Sequence, residues 1–224
     1  MAKFSPEEYD AWYGSQFGSF CHRTERDALF SLTSFQPGER VLDAGCGTGM
    51  YLMELKAVGV KPVGLDKCPE MLRAAKKKRL GVPLVRGDLP AMPFKDEAFA
   101  KVVSVCTLEF MTDPLSAFKE FQRVLFKDGS LVLGFLNRNS PWAAIRRKKA
   151  KDALSLWHGS VFMSLSEIER HGRMSGLTLF KFVTAVHFPP EARSRPIPEL
   201  KNIESRGEAP SSAAFMGALF RKFL

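Results

Sequence analysis

Residues 41–49 read Val-Leu-Asp-Ala-Gly-Cys-Gly-Thr-Gly. Two apolar residues close a buried strand, Asp43 stands at its tip, and Gly45, Gly47 and Gly49 turn the chain into a helix starting near Thr48. Glycine in such a turn lets backbone approach a ligand closely, because no Cβ intervenes. The helix behind it aims N–H groups and the positive end of its dipole at whatever is bound. The spacing is G-x-G-x-G, one residue shorter than the dinucleotide pattern G-x-G-x-x-G. A carboxylate two residues before the first glycine repels a pyrophosphate and attracts an ammonium or a sulfonium. Two more acids end short apolar stretches: Asp66 after Lys61–Leu65, and Asp88 after Pro83–Gly87. In a doubly wound sheet such tips lie side by side at the carboxyl edge, where ligands bind. There Asp66 can accept both ribose hydroxyls and Asp88 an adenine amino group. Each acid alone reads as a cap or turn residue; three at successive strand ends describe a site for a cationic nucleoside without phosphate.

S-adenosylmethionine (SAM) has that chemistry, and the spacing argues against a nicotinamide oxidoreductase. The chain resembles the class I SAM-dependent methyltransferases, most closely the small-molecule, type 11 group that includes the quinone-biosynthesis enzymes. The resemblance covers roughly residues 9–137 and rests on Val41–Gly49, Val63–Asp66, Gly87–Phe94, Phe99–Phe110 and Glu120–Gly134. Two turns depart from the family pattern: Ala100 stands where Asp is common, and Lys127-Asp128-Gly129 replaces Pro-Gly-Gly. The resemblance implies a Rossmann-like α/β fold, with a seven-stranded, mostly parallel sheet, helices on both faces and an antiparallel last strand. It implies SAM as cofactor, contacted by Gly45, Cys46, Gly47, Gly49, Asp66, Lys67, Asp88 and Leu89, with the methionine part near Asp43 and Cys106–Thr107.

Methyl transfer from a sulfonium is an in-line displacement with a good neutral leaving group. An enzyme therefore mainly aligns the nucleophile, about 3 Å from the methyl. Some members add a general base. His22, His158, His171 and His187 are candidates by type, and His158, beside Trp157, is the preferred one. Cys46 opens a helix, a setting that can lower a thiol pKa, yet the resemblance puts it under the cofactor rather than at the chemistry. Neither the four cysteines nor the four histidines show metal-ligand spacing, so no metal is expected. No Asn-Pro-Pro-Tyr-like segment follows the fourth strand, which argues against the amide and nucleobase-amine methyltransferases.

The elements that position these residues alternate. Strands are expected at 40–45, 62–66, 83–87, 101–106 and 130–137, and helices at 48–58, 69–79 and 113–126, the pattern of a parallel sheet. Residues 1–38, helical over 5–35, form an N-terminal cover in which Tyr9, Trp12 and Tyr13 wall an acceptor pocket. The SAM-binding core spans 39–137. An insertion and helix span 138–176, with Trp142 and Trp157 as further acceptor-side residues and Ser164–Glu167 as a helix cap. Residues 177–224 read as a C-terminal hairpin: strand 177–187, a long loop over 189–212, and a last strand over Ala213–Phe223. With 224 residues the chain has the size of one domain.

Nothing near the start resembles a signal peptide, and no stretch approaches the ~18 apolar residues of a membrane span. A cytoplasmic protein with reduced cysteines is expected. The net charge is +9, with basic runs at Lys76–Arg79 and Arg146–Lys149. The first reads as a solvated helix end. The second, in the insertion, reads first as a solvated face, and otherwise as a patch that attracts an acidic small-molecule acceptor, nucleic acid or a membrane surface. The alternative is a SAM-binding or nucleic-acid-modifying protein using a basic surface. The sequence leaves open the acceptor, its reacting atom and the oligomeric state.

Overall fold

The computed structural model describes residues 5–153, 155–207 and 210–222. Two helices come first, α1 (Pro6–Gly14) and α2 (Gln16–Phe30). The helical stretch expected over 5–35 is thus split at Ser15, whose extended backbone ends α1 while its hydroxyl accepts from Gly18 N–H and caps α2. The core follows as β1 (Arg40–Ala44), α3 (Met50–Ala57), β2 (Lys61–Asp66), α4 (Pro69–Lys77), β3 (Leu84–Arg86), β4 (Phe99–Val105), α5 (Pro114–Val124) and β5 (Leu125–Leu136). The insertion carries α6 (Pro141–Lys149), and α7 (Leu165–Met174) starts from the expected Ser164/Glu167 capping box. Then come β6 (Leu177–Ala185), α8 (Ile197–Arg206) and β7 (Phe215–Lys222).

The sheet order is β3-β2-β1-β4-β5-β7-β6. β1 to β5 run parallel, and β7 pairs antiparallel with both β5 and β6. β1 is buried from Val41 to Ala44, as a strand covered on both faces must be. One face packs against α5 and α7 around Phe118, Phe121 and Phe220; the other packs against α2, α3 and the insertion around Leu29, Leu55 and Phe215. Opposite Phe99–Lys101, β5 steps from Leu125 to Ser130, so Lys127-Asp128-Gly129 forms an outward excursion within the strand.

The expected loop over 189–212 is instead largely helical. Pro196 and Pro198 favour a helix start, and Leu200 is fully buried beneath α8. One carboxylate anchors this helix. Glu204 accepts from the backbone N–H of Val186 and of His187, at 2.9 and 2.7 Å, and lies 3.0 Å from the His187 ring. These bonds hold Val186 at φ 62°, a strained value for a β-branched residue. Phe223, the expected end of the last strand, lies outside the described residues.

Candidate active site

The carboxyl ends of β1, β2 and β4 meet around the glycine turn. Gly45 adopts φ 83° and its Cα faces the Thr107 side chain, so any side chain there meets Thr107. Gly47, at φ 52°, has open space where a Cβ would stand, the close-approach surface a bound ligand needs. Gly49, at φ 85°, is the N-cap of α3. Asp66 spans the turn: its Oδ2 accepts from Gly47 N–H and its Oδ1 from Cys68 N–H, both at 2.8 Å. The carboxylate expected to bind ribose therefore also holds the loop. A carboxylate has about four acceptor positions, so both tasks are compatible. Burial pushes Asp66 above its usual pKa, while these two N–H groups act in the opposite sense.

Asp43 is 2% exposed, and its Oδ2 has no hydrogen-bond partner. Burial, and then the charge of Asp66, push it up to about 8. A buried acid without a partner costs stability, and a cationic ligand beside it removes that cost. Open space at Gly47, an orphaned acid at Asp43 and a second carboxylate at Asp66 together fit a nucleoside that carries an ammonium or sulfonium. Asp88 is exposed at the end of β3, where its Oδ1 accepts from Leu89 N–H at 2.9 Å, and Leu89 is buried in the core. Lys67 points to solvent.

Cys46 differs from the possibility raised by its helix-start position. Its thiol packs under the turn, against the backbone of Gly64, and burial raises its pKa. Cys106 follows β4 at φ 49°, and its N–H donates to Gly134 O at 2.8 Å. A non-glycine residue held in that region stores strain of the kind found at functional sites.

α1 lies across this edge. Asp10 Oδ1 accepts from the Thr48 hydroxyl at 2.6 Å and from Lys78 at 2.9 Å, and Lys78 also reaches Thr48 at 3.1 Å. The run Lys76–Arg79 is thus not uniform. Lys76, Lys77 and Arg79 are exposed, while Lys78 turns back to fasten the cover.

Beneath the cover, Tyr9, Tyr13, Glu25, Cys106 and Arg146 are all part-buried. The Tyr9 and Tyr13 hydroxyls bond each other at 3.0 Å. The Tyr51 hydroxyl is buried there without a partner. Arg146 is the one member of the second basic run that turns inward; Arg147, Lys148 and Lys149 are exposed. Its guanidinium sits 5.6 Å from the Trp142 ring and 5.2 Å from that of Trp157.

The aromatic candidates therefore divide. Tyr9 and Tyr13 face the interior, Trp142 and Trp157 flank Arg146, and Trp12 packs edge-on against Tyr13 and the hydrophobic core. His158 is exposed in the turn after Trp157, and the structure does not bring it to the interior.

No motif marks Glu25. Burial pushes it up to about 8, with Arg146 opposing, and it forms neither a hydrogen bond nor an ion pair among the described residues. Its signal is periodic. Gly18, Cys21, His22 and Leu29 form the buried face of α2, and Glu25 falls on that same stripe. Glu109, fully buried after β4, accepts from Leu136 N–H at 2.7 Å through Oε1 and leaves Oε2 unpartnered; burial pushes it up to about 7.

This combination of sheet order, glycine turn and strand-end acids defines a SAM-dependent methyltransferase of class I. A family model described as a methyltransferase domain matches residues 42–133. An uncharacterized protein of Methanocaldococcus jannaschii is 30% identical, over 80% of this chain and 85% of that protein. An uncharacterized protein of Mycobacterium tuberculosis is 34% identical over 81% of this chain, and the match spans 61% of that relative's length. Among solved structures, a SAM-dependent methyltransferase of Thermotoga maritima, described as a possible histamine N-methyltransferase, superposes with TM-score 0.78 at 27% identity. It covers 96% of this chain and 95% of its own. The chain belongs to the type 11 class I methyltransferases, and the cofactor of that family is SAM. Among the described residues no helix is long and apolar enough to cross a membrane.

Proposed function

We propose that the protein transfers a methyl group from SAM to a small-molecule acceptor held in the interior space beneath α1, α2 and α6. The observation that carries this reading is a set of buried polar atoms without partners beside the glycine turn and its cover, Asp43 Oδ2, the Tyr51 hydroxyl and Arg146 Nη1, with part-buried Tyr9 and Tyr13 bonded to each other at 3.0 Å. An enclosed pocket of aromatics with a few polar groups suits a small ligand; a polymer needs an open, extended face. Gly45, Gly47 and Gly49 provide the close backbone surface for the cofactor. Asp66 takes the ribose, Asp88 and Leu89 flank the adenine, and Asp43 with Cys106 faces the methionine part. When bound, SAM supplies a methyl on a neutral leaving group. The chain's own residues then align the acceptor, exclude water through the fastened α1, and receive any proton it sheds. For that proton Glu25 replaces His158 as the candidate, because it is enclosed and unpaired. A cytoplasmic setting is part of this reading, and the four cysteines standing as free thiols agree with it.

The test is incubation of the protein with methyl-labelled SAM and a cell extract separated into metabolites below ~3 kDa, protein and nucleic acid. Label in the metabolite fraction is expected. Label confined to RNA or DNA, and lost when Arg147, Lys148 and Lys149 are neutralised, establishes the nucleic-acid alternative instead. Interaction with duplex DNA through that surface falls with salt at a slope of about −0.9 per neutralised phosphate.

A further inference from the structure

We propose that the insertion docks on an anionic membrane surface, seating Phe110, Ile145 and Val161 in the interface and setting Lys148, Lys149 and Lys151 on the lipid phosphates. This surface stands apart from the methyl-transfer chemistry proposed above, and testing it needs neither cofactor nor acceptor.

Three segments build it. Phe110 closes the short turn after β4, and its ring stacks on Trp157 with centroids 6.0 Å apart. Val161 joins the same turn, because its N–H donates to Glu109 O at 2.8 Å. Trp157 in turn lies 5.2 Å from the Arg146 guanidinium of α6, and Gly159 N–H donates to Ala150 O at 3.2 Å, so the end of α6 packs beside these residues. On α6, Ile145 shares a face with Lys148 and Lys149, three and four residues further on. Phe110, Ile145 and Val161 are between 40% and 48% exposed. Arg147, Lys148, Lys149 and Lys151 are exposed as well. Two exposed acids stand near these four cations: Asp152, and Asp113, whose Oδ1 is engaged in capping α5 at Ser116 N–H.

Both halves of the surface need explaining together. Exposed apolar side chains grouped in one place mark a contact surface, and the cations around them select an acidic partner. A nucleic acid offers phosphates to the lysines but gains nothing from the aliphatic tips of Ile145 and Val161. An anionic bilayer satisfies both. Apolar tips enter the boundary of the acyl chains, while the flexible lysine stems lift their ammonium groups to the phosphates. The cytoplasmic leaflet carries a negative surface potential, which adds roughly fivefold in affinity for each cation close to it. The turn that carries Phe110 starts from Thr107, whose side chain lies against Gly45. Docking here therefore sets the carboxyl edge of the sheet, with its glycine turn, towards the lipid.

The test is cosedimentation of the unaltered protein with large vesicles, made of phosphatidylcholine alone or with an equal part of phosphatidylglycerol. The anionic vesicles are expected to bind it roughly tenfold or more tighter than the neutral ones, and high salt should reduce that preference. Changing Lys148, Lys149 and Lys151 together to glutamine should weaken the interaction with anionic vesicles roughly a hundredfold. Phe110→Ser and Val161→Ser should each weaken it roughly three- to tenfold. Phe182→Ser, exposed on the edge strand β6, should leave it unchanged. A cooperative thermal melt shows that each variant is folded. The proposal is overturned if anionic vesicles bind the protein no better than neutral ones. Affinity that survives the lysine changes, or both apolar changes, overturns it equally, as does tighter binding to duplex DNA than to anionic vesicles at the same salt. The comparison of vesicles uses the unaltered protein, so it decides even if a variant fails to fold.

Discussion

Replacing Asp66 by alanine removes a loop brace and, on the function proposed above, a cofactor ligand as well, and the two losses can be measured separately. In the free protein the substitution strands the N–H groups of Gly47 and Cys68, each now 2.8 Å from a carboxylate oxygen. Hydrogen bonds to a charged acceptor are worth about 1.5–3 kcal/mol. Asp66 is only half-buried, so water recovers part of each, leaving a loss of roughly 2–4 kcal/mol for the pair. For a chain of this size one kcal/mol moves Tm by about 2–4 °C, so a fall of roughly 4–16 °C is expected in the ligand-free protein. The ribose contact is a further loss. Affinity for S-adenosylhomocysteine should drop by about 1.5–3 kcal/mol, roughly ten- to 150-fold, when read by calorimetry well below the new Tm. Asp66→Asn keeps the shape but can accept at only one oxygen, and it should fall between the two. A Tm within a degree or two of the parent would refute the brace. A lowered Tm with unchanged affinity would show a purely structural carboxylate.

Three other outcomes are expected. Cys46→Ala should leave cofactor affinity within about tenfold, since a buried thiol behaves as a small apolar group; trapping of a methylated Cys46 by mass spectrometry during turnover would contradict its place under the turn. Asp10→Ala unties Thr48 and Lys78 from α1, so hydrogen exchange over residues 5–14 should speed up while β1 and β4 keep their protection; equal exchange in both proteins would show that the latch bears no load. The ligand-free protein should lose stability as pH rises from about 5 to 8. Asp43 and Glu25 are raised to about 8 and Glu109 to about 7, so the folded chain holds more protons than the unfolded chain there. His22 and His171, both lowered by burial, oppose this near their ordinary range but are fewer. Thermal melts across that window that rise steadily with pH would contradict the burial of these acids.

The core of the fold was legible because its signals are local. Apolar strands ending in Asp43 and Asp66, with glycines at fixed offsets, state both the turn and its ligand. The capping box at Ser164 likewise marked α7. What escaped was set by distant partners. α8 looked like loop because Pro, Arg and Ser dominate 189–212, and its anchor, Glu204 on Val186 and His187, joins segments 17 and 18 residues apart. Glu25 hid as an ordinary helix carboxylate until its neighbours were known. Arg146 sat in a run of like residues, and only the packing of Trp142 and Trp157 distinguishes it from Arg147. His158 drew notice for its residue type and stands outside.

The helix α1 has nine residues and none fully buried. A helix that short does not hold its shape alone in water. Its order is borrowed from the Ser5–Glu8 capping box and from Asp10. Release of α1 from this edge is then expected as local melting, at a free energy of fraying about two turns. The intrinsic helix propensity of the outer face then acts as a rate dial. Ala11, which is exposed, touches no part of the site. Exchanging it for glycine, at about 1 kcal/mol, should hasten ligand exchange several-fold while leaving every contact to the ligand in place.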